Sequence, residues 1–370
     1  MKSLLYITDQ QEYADHGTIA PLFGRYLKEH MEVLLVYHTK YKDSFQCKGD
    51  ECIVPESKLG TIMHYLQEEG MDPGRFDVIL VRNSFAILRE VLSQQNRFGY
   101  KVGFRLSFAK SETAYAAMMA KYDRAFFVRA ALQLKRWKER RLIERCDLFL
   151  PSSVLMAAAM YPGLRVSTVP LPAGIDPQRI KAPKPSFSKP RRFIYVGSLD
   201  PLRRFETILD AFTDIVDREW TLDISTFNPT YLHGILERYS ALVPRINILQ
   251  AADLGRLTEQ IRACDIGLAL MPALPIFATT LPAKVMDYYA AGVPVLLSDT
   301  AKNRDRLNDA EEAFFCAFER RAIAAKLEAL LLTDDETLGL IREKGLHRLI
   351  NAGRSYDHMA RQLSLRIASL

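Results

Sequence analysis

Apolar residues in this chain fall into short runs separated by segments in which they recur at helical spacing. KSLLYIT, MEVLLVYH, FDVILVRN, KVGFRLSF and DLFLPSS are runs of strand length in the first half. Such near-continuous runs predict strands buried on both faces of a parallel sheet. Between them PLFGRYLKEH, KLGTIMHYLQEEG, FAILREVLSQQ, a long stretch over 112–145 and VLMAAAMY read as helices, and the stretch holding Cys47 and Cys52 as irregular. The alternation restarts near residue 190. RRFIYVGS, WTLDIST, INILQ and DIGLALMP are strands, with FETILDAFTDIVD, HGILERYSAL and LGRLTEQIRAC as the helices between them. From about residue 320 the chain reads as mostly helix, in IAAKLEALLL, LGLIREKGLHRLI and MARQLSLRIASL. Between the halves, KAPKPSFSKP (181–190) has three prolines and no apolar period, the composition of a stiff linker. The pattern predicts an α/β protein of two Rossmann-like, doubly wound domains, with ligands beyond the carboxyl ends of their strands.

Two strand–helix junctions of the second half carry positive charge where local structure does not ask for it. In LPAKVMDYYAAGVPVLL (281–297), Pro282 suits the first turn of a helix, Gly292 its left-handed end, and VPVLL a buried strand. Lys284 at the helix start opposes the helix dipole unless an anion is bound there. In VGSLDPLRRFETILDAF (196–212), Arg203 and Arg204 lie in the loop between a strand and the next helix. Two arginines in a loop are ordinarily solvated. Together with Lys284 on the same sheet edge they predict one shared anion, such as a diphosphate.

Length and charge narrow the picture further. At 370 residues the chain suits two cores rather than one, and no apolar run approaches the ~20 residues of a membrane span. The N-terminus reads as a first strand rather than a signal peptide. The five cysteines form no even, closely spaced framework, so a zinc site is not expected, and the plain reading is a reduced, cytoplasmic protein. The net charge of +6 is unevenly placed. KRWKERRLIER (135–145) gathers Lys135, Arg136, Arg140 and Arg141 around Trp137. It reads either as a solvated helix face braced by ion pairs or as a peripheral surface meeting anionic lipid. Nucleic acid is the weaker partner, because no nucleic-acid module accompanies the charge.

The same two junctions resemble family 4 glycosyltransferases of the GT-B fold. VGSLDPLRRFETILDAF is similar to that family's GRL…KG segment, and LPAKVMDYYAAGVPVLLSD to its P-x-K-x-x-E-Y-x-A-x-G-x-P-V segment. PLPAGIDPQRI resembles its PNGVD turn, HGTIAPLFGRYLKEHMEVLLVY its first glycine loop, helix and second strand, and ACDIGLALMP the strand before E-x7-E. The resemblance implies an acceptor domain over 1–180, a linker over 181–190, a nucleotide-sugar domain over 191–352 and a final helix over 353–370 returning to the first domain. The two domains would face a cleft.

Carried over by position, Arg203 and Lys284 match the cations that face the donor diphosphate, Asp287 the carboxylate that holds the ribose, and Gly17 the loop glycine beside the donor phosphates. The departures are informative. Ser198 replaces an arginine, and Arg204 stands where the family commonly has glycine. Thr279, eight residues before Asp287, replaces the first glutamate of E-x7-E. Arg105 and Ser107 occupy FRLSF where a histidine is often found, and His16 is a candidate to compensate. Asp15 and Glu112 are candidate acceptor-side acids by location alone.

The implied reaction is retaining transfer from a nucleotide-diphosphate sugar to a glycan or lipid-linked acceptor, as in bacterial surface polysaccharide synthesis. With no D-x-D in the chain, no metal or other cofactor is expected. The rivals are a nucleotide-sugar-binding protein that has lost transfer, a nucleotide-sugar epimerase, and a membrane scaffold.

Overall fold

The computed structural model describes residues 2–11, 17–108, 112, 115, 118, 125–226, 228–250, 253–274 and 277–370, the side chain of residue 125 excepted. The chain forms two compact units, Met1–Pro172 with Tyr356–Leu370, and Ala173–Ser355.

The first unit is built on a seven-stranded sheet of β1 (Ser3–Gln11), β2 (Glu32–Thr39), β3 (Gln46–Lys48), β4 (Glu51–Pro55), β5 (Val78–Arg82), β6 (Lys101–Leu106) and β7 (Leu148–Pro151). Their order is β3-β4-β2-β1-β5-β6-β7. Every pairing is parallel except β3–β4. Alternation along the strands sends Ile7, Val36, Val81 and Phe104 to one face, against α1 (Ile62–Glu68) and α2 (Phe85–Phe98). The unit also contains α3 (Ala125–Ile143) and α4 (Val154–Met160). The opposite face carries Tyr6, Leu35 and Leu80 against Phe23 and Leu27.

The second unit has β8 (Arg191–Val196), β9 (Trp220–Ser225), β10 (Ile246–Leu249), β11 (Ile266–Ala269), β12 (Val295–Ser298) and β13 (Phe314–Cys316). All pairings are parallel, in the order β10-β9-β8-β11-β12-β13. Its helices are α5 (Phe205–Asp214), α6 (Pro229–Leu236), α7 (Leu254–Arg262), α8 (Lys284–Ala291), α9 (Ala301–Arg304), α10 (Arg320–Leu332) and α11 (Asp335–Asn351). The order reverses between β8 and β11, the place where an open α/β sheet offers a ligand crevice. A last helix, α12 (Tyr356–Ala368), belongs to the first unit, where Tyr356 and Leu363 pack on the Tyr6 face.

Four expectations need correction. PLFGRYLKEH is not an α-helix but a π turn, Ile19–Phe23, followed by a 3-10 turn, Tyr26–Glu29. Pro21 has no N–H to give, and a Cβ on Gly24 would lie 2.7 Å from the Ala20 carbonyl oxygen. The irregular stretch holds the β3–β4 hairpin, and there Cys47 and Cys52 face each other and form a disulfide, so the chain is not wholly reduced. Strand β13 was not foreseen; three residues are too few to show a period. Finally, residues 181–190 are docked on the second unit rather than spanning open space. Lys184 Nζ donates to Asp265 Oδ1 and to the Cys264 carbonyl, both at 2.8 Å, and the Ser188 N–H donates to the same carboxylate at 2.9 Å.

Candidate functional site

In the second unit β8 ends at Val196, and Gly197 follows with φ +128°, a backbone value that side chains disfavour. A Cβ at Gly197 would sit 3.5 Å from Lys284 Nζ. Lys284 opens α8, and its amine lies 3.5 Å from the centroid of the Tyr195 ring. The nitrogen is sealed from solvent and has no hydrogen-bond partner among the described residues. Burial, and then the positive charge of Arg203, push its pKa well below the usual lysine value.

Tyr288, one turn along α8, explains why the helix start is held so close to the sheet. A Cβ on Gly267 of β11 would come within 2.4 Å of the Tyr288 ring, so glycine is what allows the approach. The Tyr288 hydroxyl accepts the Val196 N–H at 2.9 Å and lies 3.2 Å from the Leu268 carbonyl as a donor. This contact locks the end of β8 to the first turns of α8 at the switch point of the sheet.

Two related turns flank α8. Asp200-Pro-Leu-Arg203 forms a 3-10 turn in which the Asp200 carboxylate accepts the Leu202 and Arg203 N–H groups at 3.0 and 3.2 Å. The same carboxylate pairs with the Arg203 guanidinium, which lies 5.6 Å over the Phe277 ring. The structure therefore brings Arg203 near Lys284, with its charge already partly balanced. The second turn, Asp176-Pro-Gln-Arg179, repeats the D-P-x-R pattern. Arg179 Nη1 donates to Asp287 Oδ1 at 3.1 Å, while its Nη2 and Nε donate to Thr258 Oγ1 at 2.7 and 3.1 Å. Burial raises the Asp287 pKa and Arg179 opposes that rise. Arg179 was missed in the sequence, although the repeated D-P-x-R was there to be read.

The other expected residues of this unit are less engaged. Ser198 is exposed, and its carbonyl accepts the Tyr195 hydroxyl at 3.3 Å. Arg204 is exposed and takes a left-handed conformation, φ +48°, as it enters α5; this is the position where the resembled family commonly has glycine. Thr279 lies half-buried in the turn between β11 and α8.

In the first unit a cavity of about 530 Å³ opens at the carboxyl ends of β1, β2, β5 and β6. Asp9, His38, Asn83, Phe108, Lys135 and Glu139 are among its lining residues. Of these only Lys135 was singled out in the sequence. Ser107 borders this region: its N–H donates to Asn83 Oδ1 at 2.8 Å, and the Asn83 amide donates to Ser107 Oγ at 3.0 Å. Arg105 is buried on β6 rather than presented at the surface. Gly17 lies in the turn that leads into Ile19–Phe23, whereas His16 and Asp15 lie outside the described residues.

The basic stretch is only partly a free cationic surface, which corrects the expectation of four available cations. Arg136 makes a two-pronged pair with Glu112, at 2.9 and 2.7 Å, which also commits that candidate acid. Arg140 donates to Glu144 at 3.1 Å and to the Gly163 carbonyl at 3.0 Å. Lys135 stays exposed, 4.0 Å from Glu139. Arg141 stacks 3.9 Å over the Trp137 ring. The same helix exposes Phe126 (76%) and Phe127 (71%), together with Leu134. No described helix is long and apolar enough to cross a membrane.

Residues 190–333 match the family described as glycosyl transferases group 1. No curated protein matches the chain in sequence. Among solved structures, the chain is similar to sucrose-phosphate synthase from Thermosynechococcus elongatus, with a TM-score of 0.73 at 13% identity over 100% of this chain and 99% of that one. HepE of Anabaena in complex with UDP and glucose gives 0.70 at 14% identity, with 100% of each chain covered. The α,α-trehalose 6-phosphate synthase of Burkholderia multivorans gives 0.70 at 12% identity over 100% of this chain and 99% of that one. These likenesses are of fold: two parallel-sheet α/β units, the GT-B arrangement that these neighbours share.

Proposed function

From the match of residues 190–333 to the family described as glycosyl transferases group 1, we propose that the chain is a metal-independent transferase. It moves a sugar from a nucleotide-diphosphate sugar to a glycan or lipid-linked acceptor, in surface polysaccharide synthesis. The observation that carries the reading is the buried, unpartnered amine of Lys284 beside the Gly197 turn. A diphosphate there would give the amine a partner, raise its pKa again and accept from Arg203 as well. Asp287, oriented by Arg179 through one oxygen, would offer the other to a ribose hydroxyl. The UDP held by HepE makes a uridine nucleotide the first to try.

Transfer would break the bond between the anomeric carbon and the departing phosphate oxygen, and form one to the acceptor oxygen on the same face. The acceptor's proton would pass to the departing phosphate. Lys284 and Arg203 would stabilise the charge that gathers on the leaving group, so no protein nucleophile and no metal are required. The first unit's cavity suits a sugar acceptor, because aromatic Phe108 stands among the carboxylates and amides that bind hydroxyls. The exposed aromatic and cationic face of α3 would rest on an anionic membrane, which would serve a lipid-linked acceptor.

A second reading, binding without transfer, is favoured by Thr279 in place of a carboxylate and by the standing Asp287–Arg179 pair. One panel separates the two. UDP, GDP, ADP and dTDP and their sugars are tested for thermal stabilisation of the wild type and of Arg203→Ala/Lys284→Ala. Stabilisation by one nucleotide, lost in the double variant and unchanged by EDTA, is expected. Release of that nucleotide with acceptor present marks transfer, and its absence marks binding alone. No stabilisation by any nucleotide would refute both readings.

A further inference from the structure

Arg105 is a second buried cation in unusual surroundings. β5 and β6 run parallel with Arg82 and Arg105 in register, so two arginines stand side by side at the carboxyl end of the sheet. Like charges placed opposite each other destabilise a strand pair, and burial raises that cost. Arg82 is neutralised by an ion pair with Asp9. Asp9 is further engaged by the Asn83 amide, which donates to it at 3.2 Å.

Among the described residues Arg105 has no such counterion. It is 2% exposed, and its guanidinium lies 5.1 Å over the Phe23 ring. Tyr6 stacks on the same ring, with centroids 4.1 Å apart. Nε and Nη1 of Arg105 have no hydrogen-bond partner among the described residues, while the Tyr6 hydroxyl is a hydrogen-bonding neighbour of the guanidinium. Among the described residues, the groups that act on Arg105 are Tyr6, through charge and a hydrogen bond, Arg82 and Tyr356, none of them a carboxylic acid. Desolvation accordingly pulls its pKa down. The Phe23 face offers a cation–π contact but no proton acceptor. Nε and Nη1 of Arg105 are thus left buried without an acceptor beside the Tyr6 hydroxyl, a state that calls for an explanation such as a bound anion.

We infer that Arg105 and Tyr6 form an oxyanion subsite in the first unit, so that the substrate this unit takes carries a phosphate or carboxylate group. Two oxygens of such a group match the fork of the guanidinium, and Tyr6 adds a third donor. That the substrate is the sugar acceptor rests on the proposed transferase reading; the subsite itself does not. On that reading the enzyme prefers an anionic sugar to its neutral parent.

The test uses the full chain carrying Lys284→Ala, so that the second unit's cradle does not compete for anions. Glucose 6-phosphate, glucuronate, inorganic phosphate and glucose are titrated by calorimetry. At least one anionic probe is expected to bind, ten-fold or more tighter than glucose, and the arm that binds tells phosphate from carboxylate. Adding Arg105→Gln should weaken that probe ten-fold or more, and Tyr6→Phe, which keeps the ring stack, several-fold. Equal binding of glucose and the anions, no binding of any anion, or unchanged affinity in Arg105→Gln would overturn the inference. If Arg105→Gln does not fold, Tyr6→Phe decides, and an unchanged affinity there overturns it. UDP binding to Arg105→Gln with Lys284 intact is measured alongside. If no anion binds the Lys284→Ala chain while UDP binds the chain with Lys284 intact, the subsite alone has failed; if an anion binds but UDP does not, the transferase reading alone has failed.

Discussion

Lys284 combines two states that a ligand would separate. In the free protein its amine is buried and next to the positive charge of Arg203, which lowers its pKa. A bound diphosphate would raise it again, so binding takes up a proton over the pH window between the two values. Affinity for the nucleotide should therefore fall as pH rises through that window, with heats that depend on the buffer's ionisation enthalpy. Lys284→Arg, which keeps its charge, should flatten the pH profile. The free protein should behave oppositely. Between the depressed folded value and the ordinary 10.5, the unfolded chain holds more protons, so stability rises with pH there. A buffer-independent binding heat would contradict this account.

At this scale the sequence was legible where a residue clashed with its local structure. A lysine at a helix start and arginines after a strand are visible misfits, and the structure brings Lys284 and Arg203 together. Partners separated widely along the chain were not visible. Nothing near Asp287 in sequence announces Arg179, its partner 108 residues away. Arg105 read as a loop-side substrate contact because its register with Arg82 is a property of the sheet.

Elements were legible in proportion to their length and apolar period. Most buried strands were found, whereas three-residue β3 and β13, and the five-residue β4 that pairs with β3, were not. The turn Ile19–Phe23 was mistaken for a helix because its apolar spacing outvoted Pro21 and Gly24. Packing between helices adds chemistry that spacing does not show. Glu90 of α2 caps α1, its Oε1 accepting the Met63 N–H at 3.3 Å, while Oε2 has no partner. Desolvation pushes this carboxyl up to about 7. The folded protein then holds a proton that the unfolded chain releases above the ordinary 4.5, so stability should fall as pH rises from 4.5 through about 7. Glu90→Gln should remove that slope and gain roughly 1–2 kcal/mol at pH 8, a figure reduced from the full linkage value because the carboxyl is partly open to solvent. Urea denaturation at pH 5 and pH 8 measures it, and equal slopes for variant and wild type would count against it.

For the molecule as a whole, the surface of α3 sets an expectation about location. Phe127, Leu134, Trp137 and Arg141 recur at helical spacing and are all exposed, so they lie on one stripe of the helix. Binding to vesicles containing phosphatidylglycerol should weaken with added salt, and should drop at least ten-fold in Phe126→Ser/Phe127→Ser/Trp137→Ser. Arg136→Gln, by contrast, breaks the Glu112 pair and should lower stability more than vesicle binding. Retention of vesicle binding by the triple variant would remove the membrane from the picture.

The first unit is closed by α12, a helix made after all of residues 173–355. During synthesis the Tyr6–Phe23 face stays without Tyr356, Met359 and Leu363 while the entire second unit is translated. At ordinary elongation rates that interval is on the order of ten seconds or more. The second unit, a continuous segment, can complete its core first. The order of folding is then the reverse of the order of translation: the part of the protein begun first is finished last, and for that interval an apolar sheet face lacks its closing helix.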